Sequence, residues 1–134
     1  MGFDIMRKRA YIPLLAAGAF TLTLAVASPS SAASAEENYR FYCAQCHGLA
    51  GKGDGPNALP GNPVSPRDHT NAVEMGRLTD EDIISVIRDG GAAAGKSTLM
   101  PPFSRTLAKS EITALKDYLR RLCKCRGPQA APLR

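Results

Sequence analysis

The 134-residue chain has no tryptophan, only two histidines, and four phenylalanines, of which Phe3 and Phe20 lie near the N-terminus. Large aromatic side chains dominate core burial, so the chain is short of material for a large self-sufficient core. The apolar run from Tyr11 to Ala27 is 17 residues long and contains Pro13, short of the roughly 20 needed to span a bilayer. No cysteine lies close to the end of that run, which argues against a lipid anchor. Convincing strand alternation and internal repeats are also missing.

What is present at the N-terminus has a definite order. Arg7, Lys8 and Arg9 precede the apolar run, and small residues fill Ser28 to Ala35. Charged, apolar and small-residue segments in that sequence describe a secretory signal peptide. Ala33-Ser34-Ala35 gives an A-x-A-like site with cleavage before Glu36, and Ala27 and Ala33 are alternative cleavage points. An uncleaved anchor helix is the rival reading. The expected organisation is a signal peptide over 1–35, a folded domain over 36–122, and a tail over 123–134. Of 17 basic and 12 acidic residues, the presequence removes Arg7, Lys8, Arg9 and Asp4, leaving 14 against 11. That modest excess gives no case for a nucleic-acid partner. The cluster Arg120, Arg121, Lys124 and Arg126 either steers an acidic partner or is solvated charge at a helix end.

A mature chain of 99 residues, rich in Gly and Pro, needs a staple such as disulfides, a metal or a cofactor. Three segments read as helices. The first runs from about Glu36 to Cys46, with Tyr39, Tyr42, Cys43 and Cys46 on one face. The second starts at Thr79 as N-cap, carries Ile83, Ile84 and Ile87, and ends at Gly90-Gly91. The third comes after Ser110 as N-cap, with Ile112, Leu115, Leu119 and Leu122 as its apolar stripe. Leu49 to Leu78 reads as a long loop. One way to order such a loop inside a compact domain is to wrap it round a large apolar group that is not protein.

Cys43-Ala44-Gln45-Cys46-His47 is C-x-x-C-H, the attachment signature of c-type haem. Cysteines at i and i+3 project from the same side of a helical turn, so both thiols reach one porphyrin. His47 then supplies an imidazole nitrogen to the iron. A thioredoxin-like pair would need a strand–helix context, a zinc site would need a second ligand pair, and a plain disulfide is a third alternative. Met100, 53 residues after His47 in Leu99-Met100-Pro101-Pro102-Phe103, is the favoured sixth ligand, because two prolines hold an extended backbone beside it. His69, read as part of a polar loop with Arg67, Asp68 and Thr70, and Met75 are its rivals.

Residues 36–122 resemble the class I cytochromes c, the small Met/His monohaem family of bacterial periplasms. The resemblance rests on Tyr39 four residues before Cys43, C-A-Q-C-H-G, the G-K-G-D-G-P after it, Met100-Pro101 and the closing amphipathic helix. It implies an all-α cytochrome c fold, with three main helices and long loops wrapped round one covalent haem c, and first and last helices packed together. It also implies a periplasmic location and redox protein partners, with membrane contact only through partner complexes. By the same resemblance, Pro56 or its neighbours accept the ring N–H of His47, and Arg67 pairs with a haem propionate.

Two features depart from that pattern. Cys123-Lys124-Cys125 is no second haem site; a disulfide, a soft metal such as Cu(I), or a link to another chain are its readings. Gly90 to Ser97 matches the phosphate-binding G-x-x-x-x-G-K-[ST] pattern but lacks the strand before it and the helix after it, so no nucleotide is expected. Its glycines are expected to let the chain pass close to the haem edge. An iron with His and Met ligands has no open position, so the expected role is single-electron transfer rather than catalysis. The alternatives are a haem enzyme or gas sensor with a labile sixth ligand, or a redox- or copper-responsive protein using Cys123 and Cys125.

Overall fold

The structure is a computed structural model of the chain and describes residues 32–128. Most of the expected signal peptide and residues 129–134 of the tail lie outside the described residues. Among the described residues there is no strand, and no helix is long and apolar enough to cross a membrane.

The N-terminal helical run comprises α1 (Ala35–Asn38), a π-helical stretch (Tyr39–Cys43) and α2 (Ala44–His47). Ser34 caps it: its Oγ accepts the Glu37 N–H at 3.2 Å, and the Glu37 carboxylate accepts the Ser34 N–H at 2.8 Å. This reciprocal arrangement satisfies two N–H groups that the helix itself cannot. The π turn inserts one residue, rotating α2 by about 100° relative to a continuous α-helix. Tyr39 is wholly buried and packs against Tyr118, with ring centroids 5.1 Å apart; Tyr42, Cys43 and Cys46 are half-buried, and all four border one cavity. The run ends at Gly48, whose φ of +76° suits a residue without a Cβ.

A short helix, α3 (Ala72–Gly76), falls inside the segment expected to be loop. Asn71 starts it by accepting the N–H groups of Val73 and Glu74, both at 3.1 Å; five residues are too few for apolar periodicity to betray a helix. Helix α4 (Asp80–Asp89) begins at Thr79 and stops at Gly90, with Ile83 and Ile87 buried and Ile84 at their edge. A 3₁₀ turn (Ala92–Ala94) comes next, then a loop to α5 (Lys109–Cys123). Helix α5 is capped by Ala108, not by Ser110, which lies in the first turn. The Glu111 carboxylate accepts the Ala108 N–H at 2.8 Å and so supplies half of a capping box. The buried stripe is Ile112, Leu115, Leu119 and Cys123. These steps of three, four and four stay on one helical face, leaving Leu122 at the margin.

Helix α5 packs against α1, α3 and α4. Its most connected side chain is Arg120, only 11 % exposed. The guanidinium donates to the carbonyls of Met75 at 2.8 Å and Leu78 at 2.7 Å and to the Asp80 carboxylate at 2.9 Å. Arg120 is therefore a tie between α5 and the α3–α4 junction rather than part of a solvated basic cluster. The chain beyond α5 turns back at Lys124, with a disulfide closing Cys123 to Cys125. Gly127 has no room for a Cβ, which would meet the Leu78 carbonyl at 2.5 Å.

Arg120→Met leaves two inward carbonyls without their donor and is expected to cost about 2–3 kcal/mol, seen as a lower denaturation midpoint. Arg105→Gln, at an exposed loop position, should change stability by less than about 0.5 kcal/mol. At the start of α4, hydrogen bonds with Thr79, through its side chain and then its backbone, hold the Asp82 carboxyl below its ordinary range. A carboxyl lowered by folding stabilises above its unfolded pKa, and that contribution disappears as pH falls through the folded one. Asp82→Ala should therefore lower the melting temperature at neutral pH, and the gap from the parent should close below about pH 4.

Candidate functional site

The N-terminal helical run, the α3–α4 region, the loop through Met100, and α5 enclose a cavity of about 490 Å³. That is within the range of about 300–1,000 Å³ usual for small-molecule and cofactor sites. Its walls are largely apolar, with Tyr42, Val86, Ile87, Phe103, Leu115 and Leu119 among them. Cys43, Cys46, His47, His69, Met75 and Met100 open onto the same space. The motif residues and Met100 thus reach one cavity from widely separated stretches of chain.

Cys43 and Cys46 take no part in a disulfide. Before attachment, burial, with a smaller contribution from Cys46, pushes the Cys43 thiol up to about 12. The imidazole of His47 is held by its Nδ1, 2.9 Å from the Arg67 carbonyl oxygen. A carbonyl only accepts, so Nδ1 carries the proton and Nε2 keeps its lone pair. Burial lowers the pKa of His47, which favours the neutral, ligand-competent form.

The expectation that Pro56 or its neighbours take this ring N–H is not met. The G-K-G-D-G-P loop instead caps the end of α2. The N–H groups of Gly53, Gly55 and Asn57 donate to the carbonyls of His47, Cys46 and Gln45 at 2.8, 3.1 and 2.8 Å. Those carbonyls would otherwise be orphaned at a helix end. The approach is so close that a Cβ at Gly55 would lie 2.5 Å from the carbonyl oxygens of both Ala44 and Gln45. Arg67 borders the cavity, and its guanidinium pairs with Glu74 at 3.1 Å. An ion pair this exposed is worth at most about 1 kcal/mol and is readily exchanged for another anion.

His69 is not in an open polar loop; it is 8 % exposed. Its Nδ1 lies 3.1 Å from the Tyr39 hydroxyl, and its ring stacks on His47 with centroids 4.1 Å apart and planes inclined by 17°. Burial, followed by the charges of His47 and Arg67, pushes its pKa down to about 3. Two imidazoles on opposite sides of one metal aim nitrogens at each other along a line. A face-to-face stack at this distance places His69 beside His47 instead. Met75, 1 % exposed, is a core residue of α3.

The loop carrying Met100 is tied to α4 by its backbone. The Gly91 N–H donates to the Met100 carbonyl at 3.0 Å, and the Phe103 N–H to that of Ile87 at 3.1 Å. A Cβ at Gly90 would lie 2.9 Å from the Met100 carbonyl oxygen, and one at Gly91 would lie 3.2 Å from the Met100 Cβ. Gly90-Gly91 therefore accommodates the methionine loop, which accounts for the first two glycines of the phosphate-loop look-alike. The Cys123–Cys125 disulfide leaves neither sulfur as a thiolate for copper.

A helical domain that closes an apolar cavity over C-x-x-C-H, with a methionine on the same cavity, is a c-type cytochrome. The family model described as cytochrome c oxidase, cbb3-type, subunit III matches residues 30–119, and the chain belongs to this family. Among solved structures, the KustC0563 c-type cytochrome is similar with a TM-score of 0.54 at 26% identity, covering 67% of this chain and 98% of that one. A chain of the Kuenenia stuttgartiensis reducing HAO-like protein complex Kustc0457/Kustc0458 is similar with a TM-score of 0.54 at 28% identity, covering 66% of this chain and 41% of its own length. No curated protein matches the sequence. The chain is thus an all-α c-type cytochrome whose cofactor is covalent haem c and whose chemistry is haem-based electron transfer.

Gly55→Ala forces the loop away from the end of α2. Overpacking of this kind costs about 1–3 kcal/mol, and the yield of covalently attached haem, measured as pyridine haemochrome per polypeptide, should fall with it.

Proposed function

We propose that the chain is an exported monohaem electron carrier, not an enzyme, in which Cys43 and Cys46 tether the haem and His47 and Met100 are its axial ligands. The observation that carries this reading is the convergence of those four side chains on one apolar cavity. Haem c supplies an iron that cycles between Fe(II) and Fe(III). The residues of the chain do the rest. Two thiols three positions apart make the attachment permanent. The Arg67 carbonyl commits Nδ1 of His47 and leaves Nε2 as the donor. Met100, on a loop stiffened by Pro101-Pro102 and bonded to Gly91, offers a thioether, which raises the potential relative to two nitrogen ligands. Apolar walls work in the same direction, because they disfavour the extra positive charge of the oxidised centre. Arg67 is the residue on hand for a propionate, at the expense of its contact with Glu74.

The periplasm is the expected location, and export rests on the segment before residue 36. The capping box of Ser34 with Glu37 favours cleavage after Ala33 over cleavage after Ala35, since the latter would remove the cap. Loss of an N-cap costs about 1 kcal/mol. The similar chain from the Kuenenia complex comes from a multi-protein assembly, in keeping with redox proteins as donor and acceptor.

The absorption spectrum of the matured protein tests the ligand set. The ferric form should show the weak far-red sulfur-to-iron band, and Met100→Ala should abolish it, lower the midpoint potential, and admit cyanide or CO readily at neutral pH. A parent protein that already binds cyanide or CO readily would favour an enzyme or sensor instead. Mass spectrometry of the exported chain reads the processing site, and Ser34 is expected to be retained.

A further inference from the structure

The segment 67–70 grips His47 twice. The Arg67 carbonyl holds the ring by one nitrogen. A single hydrogen bond still lets a ring plane swing about the line joining donor to acceptor. Two residues further on, the imidazole of His69 lies flat against that plane, at 4.1 Å and 17°. A flat surface in contact with the ring removes the freedom that the hydrogen bond leaves.

His69 is itself held on every side. Its backbone N–H donates to the Gly51 carbonyl at 2.6 Å. On either side of it, the Asp68 carboxylate accepts the Thr70 N–H and hydroxyl at 2.7 and 2.6 Å, fixing the local turn. Its Nδ1 meets the Tyr39 hydroxyl, and the Tyr39 ring packs edge-on against it at 5.8 Å. Tyr39 is fully buried and leans on Tyr118 of α5. The plane of His47 is thereby referred, through His69 and Tyr39, to the packing of the N-terminal helical run on α5.

We infer that His69 is a positioning residue: its ring face, anchored by Tyr39, sets the rotational orientation of the His47 imidazole. The inference rests on the reading of His47 as an axial ligand. Partners outside the coordination sphere orient metal-bound histidines and tune the metal. In a low-spin ferric haem with His and Met ligands, the imidazole plane and the direction of the thioether lone pair together govern how unpaired spin spreads over the ring. With Met100 unaltered, a change in the order and spacing of the haem-methyl resonances on substitution beside His47 therefore reports a change of the imidazole plane.

The test compares the matured, haem-loaded parent with His69→Phe, His69→Leu and Tyr39→Phe by proton NMR of the ferric state. Phenylalanine keeps a flat face, so His69→Phe should retain the parent's order of methyl resonances. Leucine has no flat face, so His69→Leu should reorder them and shift the midpoint potential while haem content stays at parental level. An unchanged pattern in His69→Leu overturns the inference. Equal reordering in the Phe and Leu variants does so too, because a ring face would then not be what orients His47. If His69→Leu fails to mature, Tyr39→Phe decides. It frees one anchor of the His69 ring and should compress or broaden the methyl pattern; an unchanged pattern counts against the proposal. Failure of the underlying site reading looks different: the parent itself would lack covalent haem or a low-spin ferric spectrum.

Discussion

One hydrogen bond organises half of the site: Nδ1 of His47 to the carbonyl of Arg67, across 20 residues of chain. A buried imidazole N–H left without an acceptor costs about 1–3 kcal/mol. The chain that leaves α2 must therefore return to the same place. On its way out it caps the last carbonyls of α2 through Gly53, Gly55 and Asn57, and on its return it delivers both the Arg67 carbonyl and the His69 ring. Helix end, ligand tautomer and ring plane are consequences of a single path of the backbone. Gly53 and Gly55 in that stretch have the same origin, since the path there approaches other backbone more closely than a Cβ permits.

The opposite side of the cavity depends on a different constraint. Helices α3 and α4 meet at a junction whose carbonyls point inward, and Arg120 of α5 satisfies them. That tie lets short helices stand apart around a cavity instead of collapsing on one another. The walls are then held by α5, whose buried stripe from Ile112 to Cys123 is the longest apolar surface among the described elements. The disulfide and the returning tail close against the same Arg120. In a domain this poor in large aromatic residues, bonds to backbone carbonyls take over part of what a larger apolar core would do.

Much of this is legible in the sequence. C-x-x-C-H, the methionine before two prolines, the Thr79 cap and the stripe of α5 are local patterns; α4 does start at Thr79, Ile112, Leu115 and Leu119 are buried, and Cys43, Cys46, His47 and Met100 border one cavity. Other features mislead for identifiable reasons. Ser110 looks like an N-cap by composition, yet Ala108 takes the position because Glu111 reaches back to its N–H. Arg120 looks like surface charge because it stands among Arg121, Lys124 and Arg126, and only the turn of α3 into α4 reveals its partners. His69 looks polar because its neighbours in sequence are polar, while its neighbours in space are Tyr39 and His47.

The sequence by itself determined the attachment chemistry, the candidate ligands and the three main helices. Those depend on covalent spacing, side-chain periodicity and capping, which act over a few residues. Only the tertiary structure decided which carbonyl receives the His47 proton, that a π turn interrupts the first helix, and that His69 lies flat on His47. Each of these depends on where the chain returns after a long excursion. That return is set by the requirement that every buried polar group find a partner, a condition no short window of sequence contains.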